Sequence, residues 1–265
     1  MDPIARFKEQ AKQAWATFGP TEMLTASVAP RLVRFAGIAP GMRVLDVGCG
    51  TGVVALTAAR LGADVTGIDL TPELVTHARE NAAIMSLAVR FAEADVEALP
   101  HGDASFDVVV SQFAHMFAPR PEVAIREMLR VLRPGGTIAF STWPPEHFVG
   151  GMFALIGKYA PPPPPGAAPP PQWGDTHVVR QRLGDAVEEL LFARDVMSVQ
   201  VLSVQHHRAL MERNIGPMTK LVQALGESDP PKLAALRAEF EALIGVYFEA
   251  NHVRQDYLLT RARKR

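Results

Sequence analysis

Cysteine is almost missing from this sequence: Cys49 is the only one among 265 residues. A single thiol cannot form a disulfide within the chain, and it cannot supply the cysteine cluster of a zinc finger or an iron–sulfur site. We therefore expect no metal site, and we expect a protein of a reducing compartment, the cytoplasm.

A surplus of charge of either sign is missing as well. The chain has 27 Lys and Arg residues against 28 Asp and Glu residues, a net charge of −1. Proteins that hold nucleic acids through phosphate contacts carry an excess of basic residues, so we expect no nucleic-acid partner. The short basic run Arg261–Arg265 is interpreted as a solvated tail.

Long apolar runs are the third absence. No window of the sequence approaches the roughly 20 uncharged apolar residues that a membrane span requires. Met1–Ile4 leads directly into a mixed charged and apolar stretch, without the apolar core of a signal peptide. The sequence therefore predicts neither a membrane span nor a secretion signal. It contains no indication of the oligomeric state.

Short apolar runs alternate with helical stretches between residues 41 and 143. The predicted strands are Val44–Val47, Val65–Ile68, Val89–Ala92, Phe106–Val110 and Thr137–Phe140. The predicted helices between them are Gly52–Arg60, Pro72–Met85 and Pro121–Leu132. Strands without polar alternation are typical of a sheet covered on both faces, and the strand–helix alternation predicts a parallel α/β sheet.

The regions on either side of this core have a different character. Residues 1–40 are expected to form N-terminal cap helices that break at Gly19-Pro20, and residues 41–145 the α/β core. Residues 146–186 are expected to form a proline-rich lid or connector, since Pro161–Pro165 and Pro169–Pro171 hold eight of the 22 prolines; a docking segment for a polyproline-reading domain is the alternative.

Residues 187–265 are expected to complete the same domain. Here Val187–Val204 is predicted as a strand or hairpin, Leu210–Leu225 and Lys232–Ala250 as helices, and Val253–Ala262 as a final strand.

The strongest motif is a buried strand that runs into three alternate glycines, Gly48, Gly50 and Gly52. Glycines at the start of a helix let the chain turn sharply and let a ligand approach bare backbone. The dinucleotide fingerprint G-x-G-x-x-G does not fit, because Val53 follows the third glycine, which comes one residue early. A phosphate-binding P-loop does not fit either, because no Gly-Lys-Ser/Thr follows.

Two carboxylates follow the next predicted strands. Asp69 stands at the carboxyl end of its strand, where an acid can bind both ribose hydroxyls of a nucleoside; the alternative is a cap for the helix that starts at Pro72, although Thr71 already suits that role. Asp95 follows the next short strand and could accept a hydrogen bond from an adenine amino group. Its alternative role is that of a surface turn residue.

In this order the elements resemble those of class I S-adenosylmethionine-dependent methyltransferases, in particular the broad small-molecule group named for ubiquinone and menaquinone methylation. The resemblance covers about Trp15 to Trp143. It rests on the glycine loop Asp46–Gly52, on Asp69, on Asp95-Val96, on the fourth strand Phe106–Val110 and on the turn Arg130–Gly136. It implies a Rossmann-like, doubly wound, mostly parallel seven-stranded sheet with a helical N-terminal cover and a C-terminal helical lid insertion.

The resemblance also implies a cofactor, S-adenosylmethionine, with S-adenosylhomocysteine as its product. The glycine loop would face the methionine part with Asp46 near its amino group, Asp69 would bind the ribose, and Asp95 with Val96 the adenine. The residues expected to contact the cofactor are Asp46, Gly48, Cys49, Gly50, Asp69, Leu70, Asp95, Val96, Ser111, Gln112 and Phe18. The ring of Phe18 would attract the sulfonium; a core position is its alternative.

The partner expected from the same resemblance is a small-molecule acceptor. His115 is the candidate catalytic base, because histidine titrates near neutral pH; a half-buried loop residue is the alternative. The acceptor pocket is expected to include His115, Met116, Trp143, His147, Phe148 and Tyr159. These residues predict an uncharged, ring-bearing or lipophilic acceptor, unless they only close the core.

Three functions are compatible with these residues. The first is transfer of a methyl group to such an acceptor by in-line displacement. The second is binding of S-adenosylmethionine without methyl transfer, as in a sensor or assembly subunit. The third is an NAD-dependent oxidoreductase, which the early third glycine disfavours.

Overall fold

The computed structural model describes residues 2–19 and 23–265. The helix break was predicted at Gly19-Pro20, and Pro20 lies outside the described residues. Within them, helices pack against one mixed sheet whose strand order is β3-β2-β1-β4-β5-β8-β6, with β7 paired to β8 beside this path. The strands are β1 (Arg43–Val47), β2 (Asp64–Asp69), β3 (Arg90–Glu93), β4 (Phe106–Gln112), β5 (Leu132–Thr142), β6 (Val187–Gln200), β7 (Phe248–Glu249) and β8 (His252–Lys264).

Helices connect most of these strands. They are α1 (Pro3–Trp15), α2 (Met23–Ala26), α3 (Ala29–Ala36), α4 (Val53–Ala59), α5 (Pro72–Ile84), α6 (Pro121–Val131), α7 (Phe148–Tyr159), α8 (Thr176–Leu183), α9 (Val204–Asn214), α10 (Gly216–Ser228) and α11 (Pro230–Tyr247). Short 3₁₀ turns lie at His115–Phe117, Pro170–Gly174 and Gly184–Ala186. None of the helices found in residues 2–19 and 23–265 is long and apolar enough to cross a bilayer.

The first five strands are parallel, as the alternating pattern predicted. Val44, Leu45 and Val109 are fully buried in the two central strands, which accounts for their lack of polar alternation. The strand order reverses at β1, and right-handed crossovers then place the connecting helices on opposite faces of the sheet. The predicted doubly wound α/β fold is confirmed.

The strand count differs by one from the expected seven. Residues 248–250 were predicted as the end of a long helix, but α11 stops at Tyr247, and Phe248–Glu249 form the two-residue strand β7 against β8. The tight turn to β8 places Ala250 and Asn251 at positive φ, so the helix cannot continue through it.

The turn predicted at Arg130–Gly136 spans the end of α6 and the start of β5. β5 begins at Leu132, and its pairing with β4 jumps from Phe106–Leu132 to Val108–Thr137. The intervening residues bulge out of the ladder, with Gly135 at a φ of +71°. The glycine and proline signals therefore mark an irregular strand rather than a separate turn.

The C-terminal third corrects two further expectations. The helix predicted at Leu210–Leu225 is two helices, because Pro217 cannot donate the backbone hydrogen bond of a helix interior and instead stands in the first turn of α10. The basic run Arg261–Arg265 is not a solvated tail. Most of it belongs to β8, which lies between β5 and β6, and Arg265 N donates to Ala186 O at 3.1 Å.

α1 crosses the carboxyl-end side of the sheet and is fixed from two directions. Lys8 Nζ donates to Asp95 Oδ2 at 2.6 Å and also bonds Glu97. On the other side α1 touches α10 so closely that a Cβ at Gly216 would lie 2.4 Å from Ala14 O. The four-part division of the chain at residues 40, 145 and 186 stays a prediction.

Candidate active site

A cavity lies at the carboxyl ends of β1, β2 and β4, beneath α1. This is the edge where the strand order reverses and where doubly wound sheets bind ligands. Its wall has two unlike sides. The glycine-loop side consists of residues 46–51, 69–71 and 94–96, and the aromatic side of Phe113, Trp143, Phe148, Val149, Met152, Phe153, Met197, Met211, Ile215 and Gln255.

Asp46, near the end of β1, is a buried residue of the glycine-loop side. Its Oδ2 accepts a hydrogen bond from Ala55 N at 2.9 Å, at the start of α4. Its Oδ1 is buried and has no partner among the described residues. Burial raises the pKa of Asp46 to about 7. A cation placed against Oδ1 would satisfy this oxygen and restore the ionised form.

The glycine loop itself is held close to the segment after β4. A Cβ at Gly48, whose φ is +67°, would lie only 2.3 Å from the Cβ of Ala114. At Gly50 a Cβ would meet nothing within 4 Å, so the backbone there faces open space. Gly48 is required for packing, whereas Gly50 leaves room for a ligand.

Asp69 ties the loop to the start of α5. Its Oδ2 accepts from Gly50 N and its Oδ1 from Thr71 N, each at 2.9 Å. Thr71 is the residue before α5. Asp69 therefore orders the loop that leads into the helix and does not accept from a backbone N–H of the helix itself. Asp69 also lines the cavity, and a carboxylate has about four acceptor positions. Burial raises the pKa of this group as well.

Asp95 sits in a turn that is both structural and part of the wall. Its Oδ1 accepts from Glu97 N at 2.9 Å, and its Oδ2 binds Lys8. Lys8 and Val96 are also in the wall. Both sequence interpretations of Asp95 thus describe one residue: it shapes a turn, and it faces the cavity.

The aromatic side is built around a stacked pair. The rings of Phe113 and Trp143 are 3.7 Å apart between centroids and 7° from parallel, and Tyr257 packs edge-on against Phe113 at 5.8 Å. Phe113 holds a φ of +55°, an unusual backbone conformation for a large residue that turns the chain directly after β4. A flat, apolar surface therefore faces the cavity.

Comparisons with known proteins bear on this geometry. Residues 45–140 match the family described as Methyltransferase domain. An uncharacterized protein of Mycobacterium tuberculosis is 38% identical over 249 residues, or 92% of this chain and 89% of that protein. The ubiquinone biosynthesis O-methyltransferase of Xanthomonas campestris is 41% identical over 142 residues, or 52% of this chain and 59% of that protein. This chain belongs to the class I S-adenosylmethionine-dependent methyltransferases.

The fold is shared with more distant members of the class. Phosphoethanolamine N-methyltransferase 2 of Haemonchus contortus, solved in complex with S-adenosyl-L-methionine, superposes with a TM-score of 0.58 at 17% identity, over 90% of this chain and 52% of that one. S-adenosylmethionine is the cofactor of this methyltransferase. The glycine-loop side fits it, because Asp46 Oδ1 lacks a cationic partner and the backbone at Gly50 lies open.

Most of the cofactor residues expected from the sequence meet in this cavity. Asp46, Gly48, Cys49, Gly50, Asp69, Leu70, Asp95, Val96, Gln112 and Phe18 all line it. Ser111 does not. Its Oγ donates to Val47 O at 2.7 Å and accepts from His115 N at 3.1 Å, so it joins β1 to the turn after β4. Gln112 Nε2 donates to Thr25 O at 3.0 Å and brings the N-terminal segment to the wall.

His115 is buried more deeply than the sequence suggested. The residue is 1% exposed, and its ring packs against Phe140 at 4.5 Å and Trp173 at 4.7 Å. Neither ring nitrogen has a partner among the described residues. Burial, reinforced by the nearby Arg182 charge, lowers the pKa of His115 to about 3. These features disfavour the predicted role as a base, because the ring holds protons too weakly.

The acceptor-pocket candidates separate into two groups. His115, Trp143 and Phe148 line the cavity, whereas Met116, His147 and Tyr159 do not. Met116 is buried in the core. His147 precedes α7 and faces Arg194 and Asp256, while the Tyr159 hydroxyl donates to Glu239 at 2.8 Å. Tyr159 is the last residue of α7, whereas the cavity is lined by residues from the first half of that helix.

Several wall residues escaped the sequence analysis. They are Lys8 on α1, Thr25 on α2, Met197 on β6, Met211 on α9, Ile215 between α9 and α10, and Gln255 on β8. None belongs to a spaced motif, and they meet only because β6 and β8 extend the sheet while helices from both ends of the chain pack at its edge. The available signal was Gln255, a neutral amide within the predicted final strand Val253–Ala262.

Proposed function

We propose that this methyltransferase acts on a small, uncharged acceptor that carries an apolar or aromatic ring. The observation that carries the proposal is the stacked Phe113–Trp143 pair on a wall that, apart from Gln255, is lined by methionine, phenylalanine and aliphatic side chains and is continuous with the glycine-loop side. Flat apolar ligands gain most from such a surface. The name of the Xanthomonas campestris relative, an O-methyltransferase of ubiquinone biosynthesis, supports a ring-bearing acceptor.

In this proposal the glycine-loop side holds the cofactor. Asp46 Oδ1 accepts from its amino group, Asp69 from its ribose hydroxyls, and Asp95 with Val96 bounds the adenine. Phe18, at the same wall, faces the sulfonium. Cys49 contributes shape rather than reactivity, because burial raises the pKa of its thiol well above the ordinary value.

The chemistry needs little from the side chains beyond alignment. When bound, the cofactor would supply an electrophilic methyl carbon: attack by an acceptor lone pair would break the carbon–sulfur bond, its electrons would return to sulfur, and the proton of a hydroxyl acceptor would pass to solvent. The Phe113–Trp143 surface orients the acceptor ring, and the apolar wall excludes water. Such alignment supplies about 7–11 kcal/mol of barrier reduction in favourable cases.

The direct test is acceptor-dependent formation of S-adenosylhomocysteine. The purified protein would be incubated with methyl-labelled S-adenosylmethionine and a panel of phenols, catechols, quinols and charged amines, and both products followed by mass spectrometry. We expect labelled product from the uncharged ring compounds. A cofactor-dependent rise in the thermal midpoint without methyl transfer to any compound would instead support a binding protein, and a rise with NAD alone an oxidoreductase.

A further inference from the structure

One polar side chain interrupts the aromatic side of the cavity. Gln255 lies in its wall, although only 4% of the residue is exposed. Its side-chain amide makes no hydrogen bond within residues 2–19 and 23–265. Its nitrogen and oxygen are not enclosed by the described part of the protein, so the amide opens to the cavity, where it can donate and accept hydrogen bonds. A ligand in the cavity can supply the missing partner.

Strand register holds Gln255 at this place. Its pairing partner on β6 is Met197, which also lines the cavity. Tyr257 follows two residues later, on the same face of β8, and packs edge-on against Phe113. Gln255 is therefore a neighbour of the stacked aromatic pair rather than of the glycine loop.

The aromatic side of the cavity supplies no charged group for a ligand at Gln255. None of the aromatic-side residues in the described part of the chain is acidic or basic. His115 in the adjoining wall and His207 behind Phe148 stay neutral, because burial lowers their pKa values to about 3 and about 4. A carboxylate, phosphate or ammonium group would lose its hydration here without a counter-ion. An amide both donates and accepts, which suits a neutral oxygen group.

We infer that Gln255 determines acceptor specificity by forming a hydrogen bond to a neutral hydroxyl or carbonyl oxygen on an otherwise apolar, ring-bearing acceptor. The inference rests on the proposed function for the identity of that ligand. It extends the proposal from a class of scaffold to the polar group that the scaffold carries, and it names the residue that distinguishes one acceptor from its deoxygenated analogue.

The first test needs no variant and no methyl transfer. Binding of 2-naphthol, naphthalene and 2-naphthoate to the full chain, saturated with S-adenosylhomocysteine, would be measured by equilibrium dialysis. We expect 2-naphthol to bind about tenfold more tightly than naphthalene, the effect of one satisfied buried hydrogen bond, and 2-naphthoate to bind most weakly. Equal binding of naphthol and naphthalene, or preference for naphthoate, overturns the inference.

The second test assigns the preference to one side chain. Q255L removes the amide at nearly constant volume, and Q223L makes the same change at an exposed position of α10. We expect the naphthol-to-naphthalene affinity ratio to fall to about one in Q255L and to stay at the wild-type value in Q223L. A structural defect would weaken both ligands together and leave their ratio unchanged. An unchanged ratio in a folded Q255L protein overturns the assignment.

Failure of the two proposals can be told apart. Absence of labelled product from every acceptor, with naphthol discrimination intact, would contradict the proposed function and leave the role of Gln255 in ligand recognition standing. Methyl transfer to the ring compounds, with equal binding of naphthol and naphthalene, would support the proposed function and contradict the role of Gln255.

Discussion

The two sides of the cavity are made in opposite ways. The glycine-loop side comes from three short segments, residues 46–51, 69–71 and 94–96, and offers backbone groups and carboxylates to a ligand. The aromatic side collects side chains from segments that span residues 113–255 and offers a mostly apolar surface. The first arrangement depends on local sequence and the second on the completed fold. Substitutions on the two sides should therefore affect cofactor and acceptor separately.

The largest expected effect is at Gly48. G48A places a methyl group 2.3 Å from Ala114 Cβ, so the loop must move, and we expect cofactor affinity to fall by more than about 100-fold with a lower thermal midpoint. G41A is the matched control, because Gly41 has a φ of +78° with open space around it and tests positive φ alone. Cofactor titration by calorimetry measures both. Wild-type affinity in G48A would contradict the close packing described for this loop.

A smaller loss is expected from Asp69. D69A should weaken cofactor binding by about 1.5–3 kcal/mol, the value of hydrogen bonds to a charged group, while 2-naphthol binding stays close to that of the wild type. Parallel dialysis with both ligands checks the separation. If D69A impaired naphthol binding as strongly as cofactor binding, the two sides would not be independent. Unchanged cofactor affinity would remove Asp69 from the ribose site.

The aromatic side should also respond to acid. His207 is fully buried and its folded-state pKa is about 4, below the ordinary value of about 6.5. The unfolded chain therefore takes up a proton at higher pH than the folded chain, and the free energy of unfolding falls as the pH drops from 6.5 towards 4. One such histidine contributes about 2 kcal/mol of this loss at pH 5.

Replacing His207 measures that contribution. H207L should flatten the dependence of the unfolding free energy on pH between 6.5 and 4, as followed by urea denaturation. H77Q at an exposed position of α5 should keep the wild-type slope. A steep slope that persists in H207L would place the acid sensitivity elsewhere.

The smallest expected effect is the release of a proton when the cofactor binds. Because the pKa of Asp46 is raised to about 7, the group is partly protonated in the free protein at pH 6.5, and a cationic amino group against Oδ1 would lower this pKa. Cofactor binding should then release a fraction of one proton, detected by calorimetry in buffers of different ionisation enthalpy. D46N should abolish the release. Equal release in both proteins would assign the proton to another group.

The sequence predicted the glycine-loop side well because its determinants are local. Gly48, Asp69 and Asp95 follow successive parallel strands, whose carboxyl ends meet at one edge, so their spacing is enough to bring them together. The family and the α/β fold follow from the same strand order and are confirmed. The individual cofactor contacts stay predictions.

The aromatic side could not be predicted in this way. Gln255 reaches the wall only through the register of β8, and His115 is buried by Trp173, which lies far along the chain. Position after a strand indicated where His115 would be, but not that its ring would be enclosed. The basic tail shows the same limit, since composition alone favoured solvent and the strand pairing of Arg263 and Lys264 decided otherwise.

The position of β8 has a consequence for how the protein forms during synthesis. β8 follows every other strand in the chain, yet it lies between β5 and β6. While the ribosome is translating residues 201–251, β5 and β6 are complete and expose the edges that β8 will cover, which are prone to pair with other chains. Final closure of the sheet and placement of Gln255 must occur together. A nascent chain can therefore possess its complete glycine loop before it has any acceptor site.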